Sequence, residues 1–88
     1  MANHKSALKR ARQNQLRRLR NRAVKTRVKS VVKDVRNAVA GNSADTTDAK
    51  LRAAQAAIDK AAKKRVLHKR TAARKIARLS RLTQTIHA

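Results

Sequence analysis

The sequence predicts an all-α fold, a bundle of three helices in which a long, basic first helix protrudes beyond the other two. Three observations carry this. Proline is absent and glycine occurs once, so long stretches contain no helix breaker. Apolar residues recur at steps of three and four in three successive segments, the period that lines up one face of a helix. Around those faces stand 25 lysines and arginines against 4 acids, a net charge of +21 on 88 residues.

The first helix is expected over about 6–40, roughly 50 Å of chain at about 1.5 Å per residue. Ser6 is the expected N-cap, with Asn3 a second residue able to serve, after a short polar lead. In the second half of the run Val24, Val28, Val31, Val35 and Ala38 alternate in steps of four and three, and Val32 and Val39 widen the stripe. Opposite it fall Arg22, Lys25, Lys29, Lys33 and Arg36. One side requires a core and the other suits anions.

The first half of the same helix is patterned differently. Leu8, Leu16, Leu19 and Ala23 cluster on a face rotated about 140° from the valines, at about 100° per residue, and the register breaks near Asn21. Lys9, Arg10, Arg12, Arg17, Arg18 and Arg20 point in nearly every direction around those leucines. A helix charged on all sides cannot be half buried in protein, so the end spanning 1–22 is expected to extend past the bundle into a negative partner that surrounds it. The plainer reading, a solvated and partly frayed helix that keeps the protein soluble, fits less well because so dense a one-signed run repels itself.

Gly41 is expected to end this helix in a left-handed turn, followed by a polar loop over 42–47. Asp45 and Asp48 read as the start signal of the second helix, placed at about 46–64, where their carboxylates suit its positive end. Leu51, Ala54, Ile58 and Ala61 form its apolar stripe, and Asp59 and Lys60 its polar edge. Its many alanines favour helix and close approach to neighbours, which marks the segment as scaffold. The turn near Arg65 and Val66 carries no glycine or proline.

The third helix, at about 67–86, presents Ala72, Ile76, Leu79, Thr83 and Ile86 on one face with Leu82 beside them. Arg70, Arg74, Arg78 and Arg81 form a ladder on the other. Each guanidinium offers a planar fork of donors that matches phosphate, and no acid follows Asp59 to pair with them. A solvated face is the bland alternative; phosphate binding is the reading the missing acids favour. His68, just before the ladder, suits either a phosphate donor or the cap of this helix.

Composition also excludes. There is no cysteine, hence no disulfide framework and no thiolate metal site. His4, His68 and His87 lack the close spacing of a metal site, and the four aspartates form no evident acid and base pair with them, so neither an enzyme, a cofactor nor a bound metal is expected. No apolar run reaches the length of a membrane span or a signal peptide, which predicts a cytoplasmic protein with no membrane or small-molecule partner. The Arg-rich start also resembles an organellar transit peptide, but its pattern runs unbroken into the core-forming valines. With no Phe, Tyr or Trp, unstacked bases cannot be held by aromatic stacking, leaving phosphate, sugar and shape as what the chain can recognise. One small domain, 1–88, carrying this much self-repulsion is expected to be marginally folded when free and to gain order from its polyanion.

Several short motifs, in order across nearly the whole chain, resemble the S-twenty family of bacterial small-subunit ribosomal proteins: MANHKSALKR at Met1 to Arg10, IDKAAKK at Ile58 to Lys64 and HKRTAARK at His68 to Lys75. The resemblance implies an antiparallel three-helix bundle with an extended basic first helix. It also implies a protein bound to the 5′ domain of 16S ribosomal RNA, near that RNA's penultimate stem and beside other small-subunit components, with a role early in assembly. Carried over by position, the RNA-facing motifs fall on Asn3, Lys5, Ser6, Lys9 and Arg10, and on His68, Lys69, Thr71 and Arg74. Two departures stand out: Arg65 replaces the family's usual glycine and Arg70 its usual asparagine. The first bears on the geometry of the second turn, since a left-handed arginine costs about 1 kcal/mol. The second exchanges a polar contact or cap for a further phosphate contact.

Two other classes share parts of the pattern. A nucleoid-type DNA-compacting protein shares the charge, but such proteins carry lysine, alanine and proline in disordered tails, whereas here arginine outnumbers lysine. A membrane-active amphipathic helix accounts for the first segment and not for two further patterned helices.

Overall fold

The valine, alanine and leucine stripes of the sequence meet in a single core. The computed structural model describes residues 2–87, with side chains from His4 onward, and among these it contains three α-helices and no strand. They are α1 (Ala2–Ala40), α2 (Ala44–Lys63) and α3 (Lys69–Gln84). The molecule measures 67 × 22 × 13 Å. Its length is set by the 39 residues of α1, about 58 Å at about 1.5 Å each.

The core consists of Val28, Val31 and Val35 from α1, Ala54, Ile58 and Ala61 from α2, and Ala72 and Leu79 from α3, with Val24, Val32, Val39, Leu51, Leu67 and Ile76 packed around them. Val35 and Ile58 are wholly buried. α1 packs most extensively on α2, and α3 closes the remaining side. The alanines of α2 are what permit this, since a small side chain at the crossing lets two helix backbones approach. Thr47 extends the α2 stripe one turn toward its start and is fully buried; its hydroxyl donates to the Ser43 carbonyl at 2.6 Å, so the buried polar atom is satisfied.

The helix ends depart from the sequence expectations in instructive ways. α1 begins at Ala2, so Ser6 lies inside the helix and is not its cap; the side chain of Asn3 lies outside the described residues. Gly41 does not take the left-handed turn. Asn42 does, at φ 56°, with its N–H donating to the Val39 carbonyl at 2.9 Å and the Ser43 N–H reaching the Ala38 carbonyl at 3.5 Å. This is a Schellman closure with asparagine, the residue next best to glycine, at the left-handed position. α2 starts two residues earlier than Thr46, with Ser43 in extended conformation as N-cap and Asp45 in its first turn.

The second turn repeats the closure. Arg65 stands at φ 60°, its N–H donating to the Ala62 carbonyl at 3.0 Å while that of Val66 donates to Ala61 at 3.0 Å. Leu67 and His68 precede α3 instead of belonging to it, and Leu67 packs on the core. That contact between the residues after the turn and the bundle holds an arginine in a conformation that costs it about 1 kcal/mol.

Candidate nucleic-acid interface

Register decides where α1 leaves the bundle. From His4 to Arg20 every side chain is exposed, and Asn21 is the first to be even partly covered. Leu8, Leu16 and Leu19 are 59%, 47% and 61% exposed, against 3% for Val28 and Val31 on the same helix. The leucine face is therefore rotated away from the neighbours that the valines reach, and no partner helix extends far enough to cover it.

Lys5, Ser6, Lys9, Arg10, Arg12, Arg17, Arg18 and Arg20 all project from this overhang. Arg22, Lys25 and Lys29 continue the cationic face along the bundle, where Arg18, Arg22, Lys25 and Lys29 line one strip of α1. None of these has a carboxylate partner: among the described residues the one contact at salt-bridge distance joins His87 and Asp48 at 3.0 Å. The overhang is thus a rod of positive charge with no acid beside it among the described residues, and like charges three and four residues apart oppose its own helix.

A second group gathers at the start of α3. His68 caps this helix: its Nδ1 accepts from the Arg70 N–H at 3.1 Å. Accepting at Nδ1 leaves the ring proton on Nε2, so capping and donating to an external phosphate do not compete. Lys69, Arg70, Thr71 and Arg74 are exposed around that end, and Arg78 and Arg81 continue the ladder. Because α2 runs back along α1, the chain at Lys64 and Val66 lies beside Arg17, Arg20 and Asn21, all lining one cleft. The fold therefore brings the overhang's base and the basic second turn to the same end. Arg78 and Arg81 lie toward the opposite end, where three of the four acids, Asp34, Asp45 and Asp48, are also found.

Two features were barely readable from the sequence. The Asp48–His87 pair, contrary to the expectation that no aspartate meets a histidine, ties the far end across 39 positions of sequence; both side chains are nearly half exposed, so the tie contributes little to stability. The other is a groove between α1 and α2 edged by Arg27, Lys60 and Lys64. Only the four-residue step from Lys60 to Lys64 hinted that those two share a face. Among the described residues no group of side chains could hold a metal ion, and no helix is long and apolar enough to cross a membrane.

A small helical bundle that displays its cations on an uncovered arm presents a surface suited to a polyanion, with no catalytic constellation among the described residues. The family model described as ribosomal protein S20 matches residues 2–84. The small ribosomal subunit protein bS20 of Syntrophobacter fumaroxidans is 57% identical over 81 residues, covering 92% of this chain and 94% of that protein. Those of Maridesulfovibrio salexigens and Desulfatibacillum aliphaticivorans are 58% and 50% identical over 80 and 86 residues, covering 91% and 98% of this chain and 92% and 98% of theirs. The chain belongs to the ribosomal protein S20 family, a family of structural proteins and not of enzymes.

Proposed function

We propose that this chain is a structural component of the bacterial small ribosomal subunit that binds 16S ribosomal RNA directly, through phosphate and shape contacts, and supports assembly of the subunit. Membership of the S20 family supports the ribosomal role. The observation that carries direct RNA binding is the overhang, in which every side chain from His4 to Arg20 is exposed and no cation has an acidic partner. A polyanion that wraps this rod removes the repulsion between its charges, and releasing counterions from the RNA drives the association. The basic second turn at the same end supplies a second set of phosphate donors, with His68 able to donate from Nε2 while it caps α3.

The 5′ domain of 16S ribosomal RNA, with its penultimate stem nearby, is the partner the family resemblance implies. An overhang whose charges repel one another until a polyanion screens them suits a protein that joins while the RNA is still folding, because each stabilises the other. If six to ten phosphates are neutralised, affinity falls by roughly 10³ to 10⁵ between 50 and 200 mM salt, a scale set by duplex DNA.

The test is to recover the chain from lysate at moderate salt and follow its sedimentation. It is expected to travel with the small ribosomal subunit, and purified chain is expected to hold structured RNA against excess duplex DNA. Sedimentation apart from the subunit, or displacement by duplex DNA, would move the assignment to DNA compaction.

A further inference from the structure

We infer that the groove between α1 and α2 is a second RNA seat, holding the sugar–phosphate backbone of one strand; this rests on the reading that the chain binds ribosomal RNA. The groove is open to solvent along its length and offers about 490 Å³, room for a nucleotide-sized group. Its floor is made by Ala53, Ala56 and Ala57 of α2 against Ala23 and Val24 of α1. Methyl groups alone form that surface, with no amide, hydroxyl or aromatic ring to read a base. What they permit is close van der Waals approach of ribose edges.

The edges of the groove are Arg27 on one side and Lys60 and Lys64 on the other, all exposed, and no carboxylate lines it. Lys60 and Lys64 stand one helical turn apart, about 5–6 Å between their Cβ atoms, a step suited to successive phosphates of one strand. A protein helix seated here would have to supply an acid opposite each of these cations; a nucleic-acid strand brings that charge as part of its backbone. The groove is also continuous with the cleft at the base of the overhang, since Ala23, Val24 and Lys64 line both and Arg17 and Arg20 stand beyond them. One strand can therefore run from the bundle onto the arm without crossing an acidic or bare stretch.

The absence of cysteine allows a direct test. Ala56→Cys, on the floor, and Leu19→Cys, on the overhang, are each labelled with a short photocrosslinker, and small subunits are reconstituted with the full-length variants. The inference expects RNA adducts from both positions. An RNA adduct from position 19 with a protein adduct, or none, from position 56 overturns the second seat and leaves RNA binding intact; no RNA adduct from either overturns both. As an independent measure, Arg27→Gln, Lys60→Gln and Lys64→Gln combined should lower the slope of log affinity against log salt by roughly 2 to 3, at about 0.7–0.9 per lost phosphate contact, without loss of helicity. An unchanged slope overturns the inference.

Discussion

The two halves of α1 share a helix, a lack of breakers and a wealth of cations, yet they are held by different things. In the C-terminal half Val28, Val31 and Val35 are 3%, 3% and 0% exposed, and the cations lie opposite them, so apolar burial sustains the helix and the charge is displayed at its edge. In the N-terminal half the leucines are about half exposed or more, and cations surround them on every side. Burial by the protein itself contributes almost nothing there. The difference teaches that a helix can be continuous in geometry while tertiary burial sustains only one of its ends.

The sharpest break in that comparison comes from the core. Ile58→Ala should lower bundle stability by about 2–5 kcal/mol, because Ile58 is wholly buried between helices and its loss leaves a cavity. Urea unfolding followed by far-UV circular dichroism measures it. Leu19→Ala on the overhang should change the same midpoint by less than about 0.5 kcal/mol, as an exposed position away from any packing does. Equal losses at the two sites would mean that the arm is part of the cooperative unit.

Next in size is the arm's effect on binding. Replacing Arg17, Arg18 and Arg20 together with Gln should flatten the salt dependence of RNA affinity by roughly 2 to 3 in log–log slope, while helicity in the complex falls little. Filter binding across a salt series, with circular dichroism of the same complexes, separates the two readouts. Unchanged affinity would show that the arm is not where RNA is held.

Smaller effects are expected at the turns that set the helices of the bundle. Arg65→Gly should raise stability by about 1 kcal/mol, since φ 60° suits glycine and strains arginine. Gly41→Ala should also stabilise, by about 0.4–1 kcal/mol: Gly41 is not in the left-handed region, and an added Cβ meets the Asn37 and Ala38 carbonyls at an ordinary 3.5 and 3.6 Å. A loss on Gly41→Ala, seen as a lower denaturant midpoint, would return the left-handed role to the glycine. The smallest change belongs to Asp48→Asn, which removes a half-exposed pair with His87 and should move the midpoint by no more than about 0.5 kcal/mol.

Much of this was legible in the chain. The three-and-four spacing marked the core faces of all three helices, and the break near Asn21 coincides with the first partly covered side chain, because the direction a side chain takes from a helix follows from its position alone. The ends were less legible. Ser6 and Gly41 were the residue types expected at a cap and a left-handed turn, but Ser6 sits within α1 and Asn42 takes the turn. A closure places its left-handed residue where the following chain must turn to let the next helix pack, and local preference for Gly41 over Asn42 is too weak to oppose that. At Arg65 the same tertiary demand prevails over the residue's own preference.

By itself the sequence determined that the protein is helical, which faces are apolar, and that its charge is overwhelmingly positive and nearly unpaired, since each of these depends only on residue type and helical periodicity. The tertiary structure alone decided which cations converge: the overhang's base with the basic second turn, Arg27 with Lys60 and Lys64 across a groove, and Asp48 with His87 at the far end. Those juxtapositions join residues tens of positions apart, and only the packing of one helix against another brings such residues within reach.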